Sequence, residues 1–128
     1  MSRKKSLVLT DHELRLMEAL WKLDRATVAE IVESLAPPPL AYSTVLTTMR
    51  TLEQKGYVDH QEDGRAYVYR PLVARDEAAK SATRHLLDRF FGNSPGALAV
   101  SLLDGTQLTD DDIATIKRML ARNRKGSK

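Results

Sequence analysis

No cysteine occurs in the 128 residues, which excludes a disulfide framework, a thiolate metal site and any thiol chemistry. Long apolar runs are missing too. The longest, Leu7 to Leu9 and Ala97 to Val100, fall far short of the roughly 20 residues that cross a bilayer, and no secretory h-region is present. The expectation is a soluble, cytoplasmic protein. Histidine is sparse: His12, His60 and His85 sit in different segments without metal-ligand spacing and read as surface or cap-adjacent residues. Asp110, Asp111 and Asp112 form the one acidic run, but acids in a helix's first turn favour its dipole without any cation. No phosphate-cradling glycine loop, nucleophile elbow or paired catalytic carboxylates appear. No enzyme activity, cofactor or metal is therefore expected.

Excess charge is small. The net charge of +3 and pI near 9.3 permit a polyanionic partner without demanding one. Up to Val73 the chain carries ten Lys and Arg against ten Asp and Glu, so the positive surplus lies in the second half. Within the first part the signs segregate. Most acids precede Ser34, whereas Arg50, Lys55, Arg65 and Arg70 come later.

What is present is a succession of helix signals. Thr10-Asp11-His12-Glu13 is a capping box, with Leu9 and Leu14 placed as a hydrophobic staple. The helix it starts should bury Leu14, Met17, Leu20 and Trp21 and end in Lys22-Leu23-Asp24-Arg25. Thr27-Val28-Ala29-Glu30 is a second capping box, opening a short helix with the stripe Val28, Ile31, Val32 and Leu35, stopped by Pro37-Pro38-Pro39. A third helix follows between Leu40 and Gly56. Val45, Met49 and Leu52 form its apolar stripe, and Gly56 suits its C′ position. Tyr42, Ser43, Leu46, Thr47, Arg50 and Gln54 point elsewhere, with Thr44 and Lys55 beside them. Hydroxyls, an amide and an arginine are the groups that reach base edges in a major groove, although an ordinary solvated helix can carry the same residues.

After Gly56 the period becomes alternating. Tyr57 to Gln61 and Ala66 to Arg70 are β-prone runs joined through Asp63-Gly64, a strong hairpin signal. Three helices and a hairpin predict a winged helix, with the third helix in the major groove and the hairpin tip, Gly64 and Arg65, near the adjacent backbone. At least one of Tyr67 and Tyr69 should pack on the core.

Beyond Val73 the chain is helical again: Ala79, Ala82, Leu86 and Phe90, then Leu98, Leu102 and Leu103, then Ile113, Ile116, Met119 and Leu120. Gly92-Asn93, Asp104-Gly105 and a Thr109 cap punctuate them. Three short helices with few aromatics do not make a self-sufficient globule, so pairing with a second copy is expected to bury Leu86, Phe90, Leu98, Leu102, Ile113, Ile116 and Leu120. The fold class expected is mainly α with a small β-hairpin wing: a winged helix-turn-helix domain over 1–73 and a three-helix dimerisation region over 74–128.

This order of parts resembles the BlaI/MecI penicillinase-repressor family of bacterial winged-helix regulators. The resemblance rests on Leu-Thr-x-x-Glu-x-x-x-Met-x-x-Leu-Trp from Leu9 to Trp21, Ala-Tyr-Ser-Thr-Val-x-Thr-x-Met-x-x-Leu from Ala41 to Leu52, and Lys-Gly-Tyr-Val at Lys55 to Val58. It implies a homodimeric repressor on palindromic double-stranded DNA operators, released when a membrane sensor or its signal leads to cleavage in the C-terminal region. The matching bond here is Ser101–Leu102. Copper-responsive relatives carry a Cys-rich tail, so the absence of cysteine leaves antibiotic or cell-wall stress, or another signal. A winged-helix module that docks protein is the alternative, and the near-neutral charge favours it.

Overall fold

The computed structural model describes residues 8–105 and 107–126; the basic tail Arg3-Lys4-Lys5 lies outside them. Its elements run α1 (Asp11–Leu23), β1 (Ala26–Thr27), α2 (Val28–Ser34), α3 (Tyr42–Gln54), β2 (Val58–Asp63), β3 (Ala66–Pro71), α4 (Arg75–Phe90), α5 (Pro95–Gly105) and α6 (Asp110–Gly126). The chain divides into two compact units, Met1–Leu86 and Leu87–Lys128.

Both capping boxes form. The Thr10 hydroxyl accepts from the Glu13 amide at 3.2 Å while the Glu13 carboxylate accepts from the Thr10 amide at 2.9 Å. Thr27 and Glu30 do the same for α2. The α1 face is rotated from the sequence expectation: Leu16 and Glu13 are buried along with Met17, Ala19 and Leu20, whereas Leu14 is exposed and Trp21 half-buried. Leu14, Trp21 and Leu9 instead border a groove with Ala78, Ala79 and Ala82 of α4. Glu13 is tolerated inside because the amide of Thr10 and the ammonium of Lys55 satisfy its carboxylate.

The core of the first unit forms where α1, α2 and α3 meet over the sheet: Leu16, Met17, Leu20, Ile31, Val45, Met49 and Leu52 expose nothing, and Tyr57, Val58 and Tyr69 close it from the hairpin side. The sheet is antiparallel in the order β1-β3-β2. Its two-residue strand β1, paired Ala26 to Tyr69 and Thr27 to Val68, has no periodicity of its own and exists only because β3 supplies a partner edge. Asp63 pairs with Ala66, leaving Gly64 and Arg65 as a two-residue turn in which Gly64 takes φ +66°. Of the two tyrosines, Tyr69 is buried and Tyr67 exposed.

α4 has no hydroxyl cap, but the Ala74 amide donates to the Glu77 carboxylate. Its start is tied to α1 three ways: Ala78 is buried, the Trp21 indole N–H donates to the Val73 carbonyl at 2.8 Å, and Arg75 pairs with Glu18 at 2.8 Å. These ties explain why the first compact unit takes in Arg75 to Leu86. In the second unit Gly92 and Asn93 take positive φ after α4, Ser94 caps α5, and Thr109 with Asp112 forms a capping box for α6.

Candidate nucleic-acid interface

The outer face of α3 is fixed by its inner one. Turning about 100° per residue, Ser43, Thr47, Arg50 and Gln54 fall in a line within about 60° of one another, on the side opposite Val45, Met49 and Leu52. All four are exposed, as are Tyr42 and Thr44. Two further hydroxyls are consumed within the helix, Thr48 donating to the Thr44 carbonyl at 2.8 Å and Thr51 to that of Thr47 at 3.2 Å. Leu46 is half-buried and packs against the core, so it is a flank of the row and not its centre.

α3 begins differently from α1, α2, α5 and α6. Thr10, Thr27, Ser94 and Thr109 cap α1, α2, α5 and α6 with hydroxyls, but Ala41 at the α3 N-cap offers none, and no side-chain cap is made. The first-turn amides of α3 are therefore available to an outside acceptor, and a phosphate oxygen is the acceptor that a helix N-terminus favours. At the other end the helix is closed firmly. Gly56, at φ +88°, donates to the Glu53 carbonyl and Tyr57 to that of Leu52, both at 3.0 Å, which is a Schellman closure.

Of the cations the sequence points to, Arg50 and Arg65 are exposed and have no ion-pair partner among the described residues. Lys55 is different. Its ammonium lies 2.8 Å from the Glu13 carboxylate and only 22% of its side chain is exposed, so it faces α1. Burial raises the Glu13 carboxyl, but the Lys55 ammonium and the Thr10 amide outweigh it and hold the group below its ordinary value. Gly64 and Arg65 stand exposed at the hairpin tip, beside the exposed acids Glu62 and Asp63.

Sequence reasoning missed the joint between helix and wing. His60, on β2, places Nδ1 2.8 Å from the Glu53 carboxylate of α3, and its ring stacks on Tyr67 at 4.3 Å and leans on Tyr69 at 5.4 Å. A signal existed: once Gly64 and Arg65 are taken as the two-residue turn, counting back pairs His60 with Tyr69. On the same ladder Arg70 grips Asp59 through two hydrogen bonds of 2.7 and 3.0 Å, and that contact lowers the Asp59 carboxyl.

This geometry accords with what known proteins show. Residues 9–122 match the penicillinase repressor family. The penicillinase repressor of Bacillus licheniformis is 26% identical over 125 residues, covering 95% of this chain and 98% of that protein. The transcriptional regulator BlaI of Mycobacterium tuberculosis is 39% identical over 71 residues, 54% of this chain and 51% of its own length. Among solved structures, the DNA-binding domain of the repressor BlaI superposes with a TM-score of 0.52 at 28% identity, over 59% of this chain and 93% of that one. From the winged-helix fold and a match that spans nearly its whole length, the chain belongs to the penicillinase repressor family, a family of transcriptional repressors and not of enzymes.

Proposed function

We propose that the protein is a homodimeric repressor that lays α3 in the major groove of each half of an inverted-repeat operator, with Arg65 at the wing tip on neighbouring phosphate. The observation that carries this reading is the line Ser43, Thr47, Arg50 and Gln54, directly opposite the core stripe, on a helix whose first turn has no side-chain cap. The dimer is supported by α5 and α6, where no described residue is buried and Leu102, Leu103, Met119 and Leu120 are more than half exposed, as is Phe90 at the end of α4. Burying a Leu is worth roughly 1.5 to 3 kcal/mol, so these faces favour a second copy.

For release, the name of the Bacillus relative supports an antibiotic or cell-wall signal. We assign the Ser101–Leu102 bond in α5 as the cleavage point, cut through a membrane sensor protease. Leu98, Leu102 and Leu103 would otherwise anchor the dimer together, and a cut that parts Leu98 from Leu102 and Leu103 pushes dissociation into the working concentration range. Intact mass of the protein from induced cells tests this step, and derepression with a full-length chain overturns it.

The DNA reading is tested by selecting duplexes from a random library and titrating the selected one at rising salt. Phosphate contacts release counterions, so log affinity should fall linearly with log salt, and the selected sequence should be an inverted repeat. A protein-docking module, favoured by the acids Glu62 and Asp63 at the wing tip, selects no sequence.

A further inference from the structure

We infer that Arg15 of α1 is a positioning residue for DNA recognition, clamping the proline-rich connector that sets where α3 begins. The inference rests on the DNA-binding reading above, but it concerns a residue that reading leaves unused. The connector joins α2 to α3 through Ala36, Pro37, Pro38 and Pro39. Three consecutive prolines have no amides, so this stretch cannot close on itself through its own N–H groups. Its carbonyls are held from outside instead. One Arg15 nitrogen, Nη2, donates to the Ala36 carbonyl and to the Pro38 carbonyl, both at 2.7 Å.

Among the described residues no other acceptor holds that guanidinium. Glu18, one turn further along α1, is engaged by Arg75, and Arg15 has no carboxylate partner among the described residues. Among the described residues the connector has few other ties: Leu35 and Leu40 pack partly against the core, and the Ser34 hydroxyl turns back to the Ile31 carbonyl. Because Ala41 supplies no side-chain cap, the first turn of α3 has no local device to fix its start beyond helix bonds such as Val45 N–H to the Ala41 carbonyl. One charged donor nitrogen reaching two alternating carbonyls does that from a distance. Base contacts tolerate little misplacement whereas phosphate contacts tolerate much, so slackening the connector should harm sequence reading and spare general affinity.

The test uses full-length protein, the duplex it selects from a random library, and a scrambled duplex of equal length. Arg15→Ala should weaken binding to the selected duplex about ten-fold, comparable to losing one charge-assisted bond. The scrambled duplex should change by less than about two-fold, with the salt slope unaltered. Arg15→Lys, which keeps a donor in reach, should recover most of the loss. Without DNA, hydrogen exchange at the Val45 and Leu46 amides should quicken in Arg15→Ala while the Met17 and Leu20 amides hold. Equal losses on both duplexes with the slope reduced by about 1 would make Arg15 a phosphate contact and overturn the clamp. Unchanged binding and exchange would overturn it as well, and faster exchange throughout the core would reassign Arg15 to folding. Should the wild type bind neither duplex, the DNA reading itself falls, and the exchange arm still decides whether the connector is clamped.

Discussion

Apolar stripes at the same helical spacing meet opposite fates in the two units. Up to Leu86, the stripes of α1, α2 and α3 converge on one core in which seven side chains expose no surface. From Leu87 onward no described residue is buried, and Phe90 is 68% exposed. The stripe of α6 is as clear as that of α3. A stripe therefore tells that a face wants covering, and only the presence of elements at complementary angles tells whether the same chain covers it.

Substitution in the two stripes separates these fates most sharply. Leu20→Ala, which opens a hole in the closed core, should cost about 2–5 kcal/mol of stability, read from denaturant unfolding of the first unit. Leu120→Ala, on the open α6 face, should leave that transition in place and weaken self-association by roughly ten-fold or more in sedimentation equilibrium, since it removes a Leu worth about 1.5–3 kcal/mol if buried between copies. A loss of unfolding stability without a change in mass distribution would mean that α6 is covered within its own chain.

Next in size come the cations of the outer face. Arg50→Ala should cost about 1 to 3 kcal/mol on a selected duplex and less on a random one, measured by fluorescence anisotropy. Arg65→Ala should weaken both duplexes alike and lower the salt slope by about 1. Lys55→Ala should show neither signature, because its ammonium serves Glu13; a slope change would show it reaching phosphate.

The smallest effect concerns pH. Glu13 is held below its ordinary 4.5 in the fold, so the folded state favours the ionised form. That contribution is complete above about 4.5 and disappears as pH falls through the lower, folded value. Glu13→Gln should flatten the acid side of the unfolding-stability profile below 4.5, and an unaltered profile there would show the ion pair to be idle.

Local grammar made most of the fold legible. Two Thr-x-x-Glu boxes, the Val45–Met49–Leu52 stripe and the hairpin tip at Gly64 and Arg65 each state their structure within a few residues. What stayed hidden depends on partners far along the chain. β1 needs β3, more than forty positions away; Glu13 is buried only because Lys55 arrives to pair with it; and Leu14 yields its expected inner place to Leu16 once α2 and α3 fix the angle of α1. Within the candidate interface, the exposed row on α3 followed from the inner stripe, while the half-burial of Leu46, the diversion of Lys55 and the His60–Glu53 joint followed from neighbours that no spacing rule names.

Trp21 is the chain's single tryptophan, and its indole N–H is spent on the Val73 carbonyl just before α4. Nature has thereby installed one optical probe at the seam between α1 and the start of α4. Its emission is free of any second indole, so a red shift during titration or heating marks one event, the wetting of that seam. The same molecule thus reports, without a label, whether α4 lifts from the winged helix before the core itself gives way.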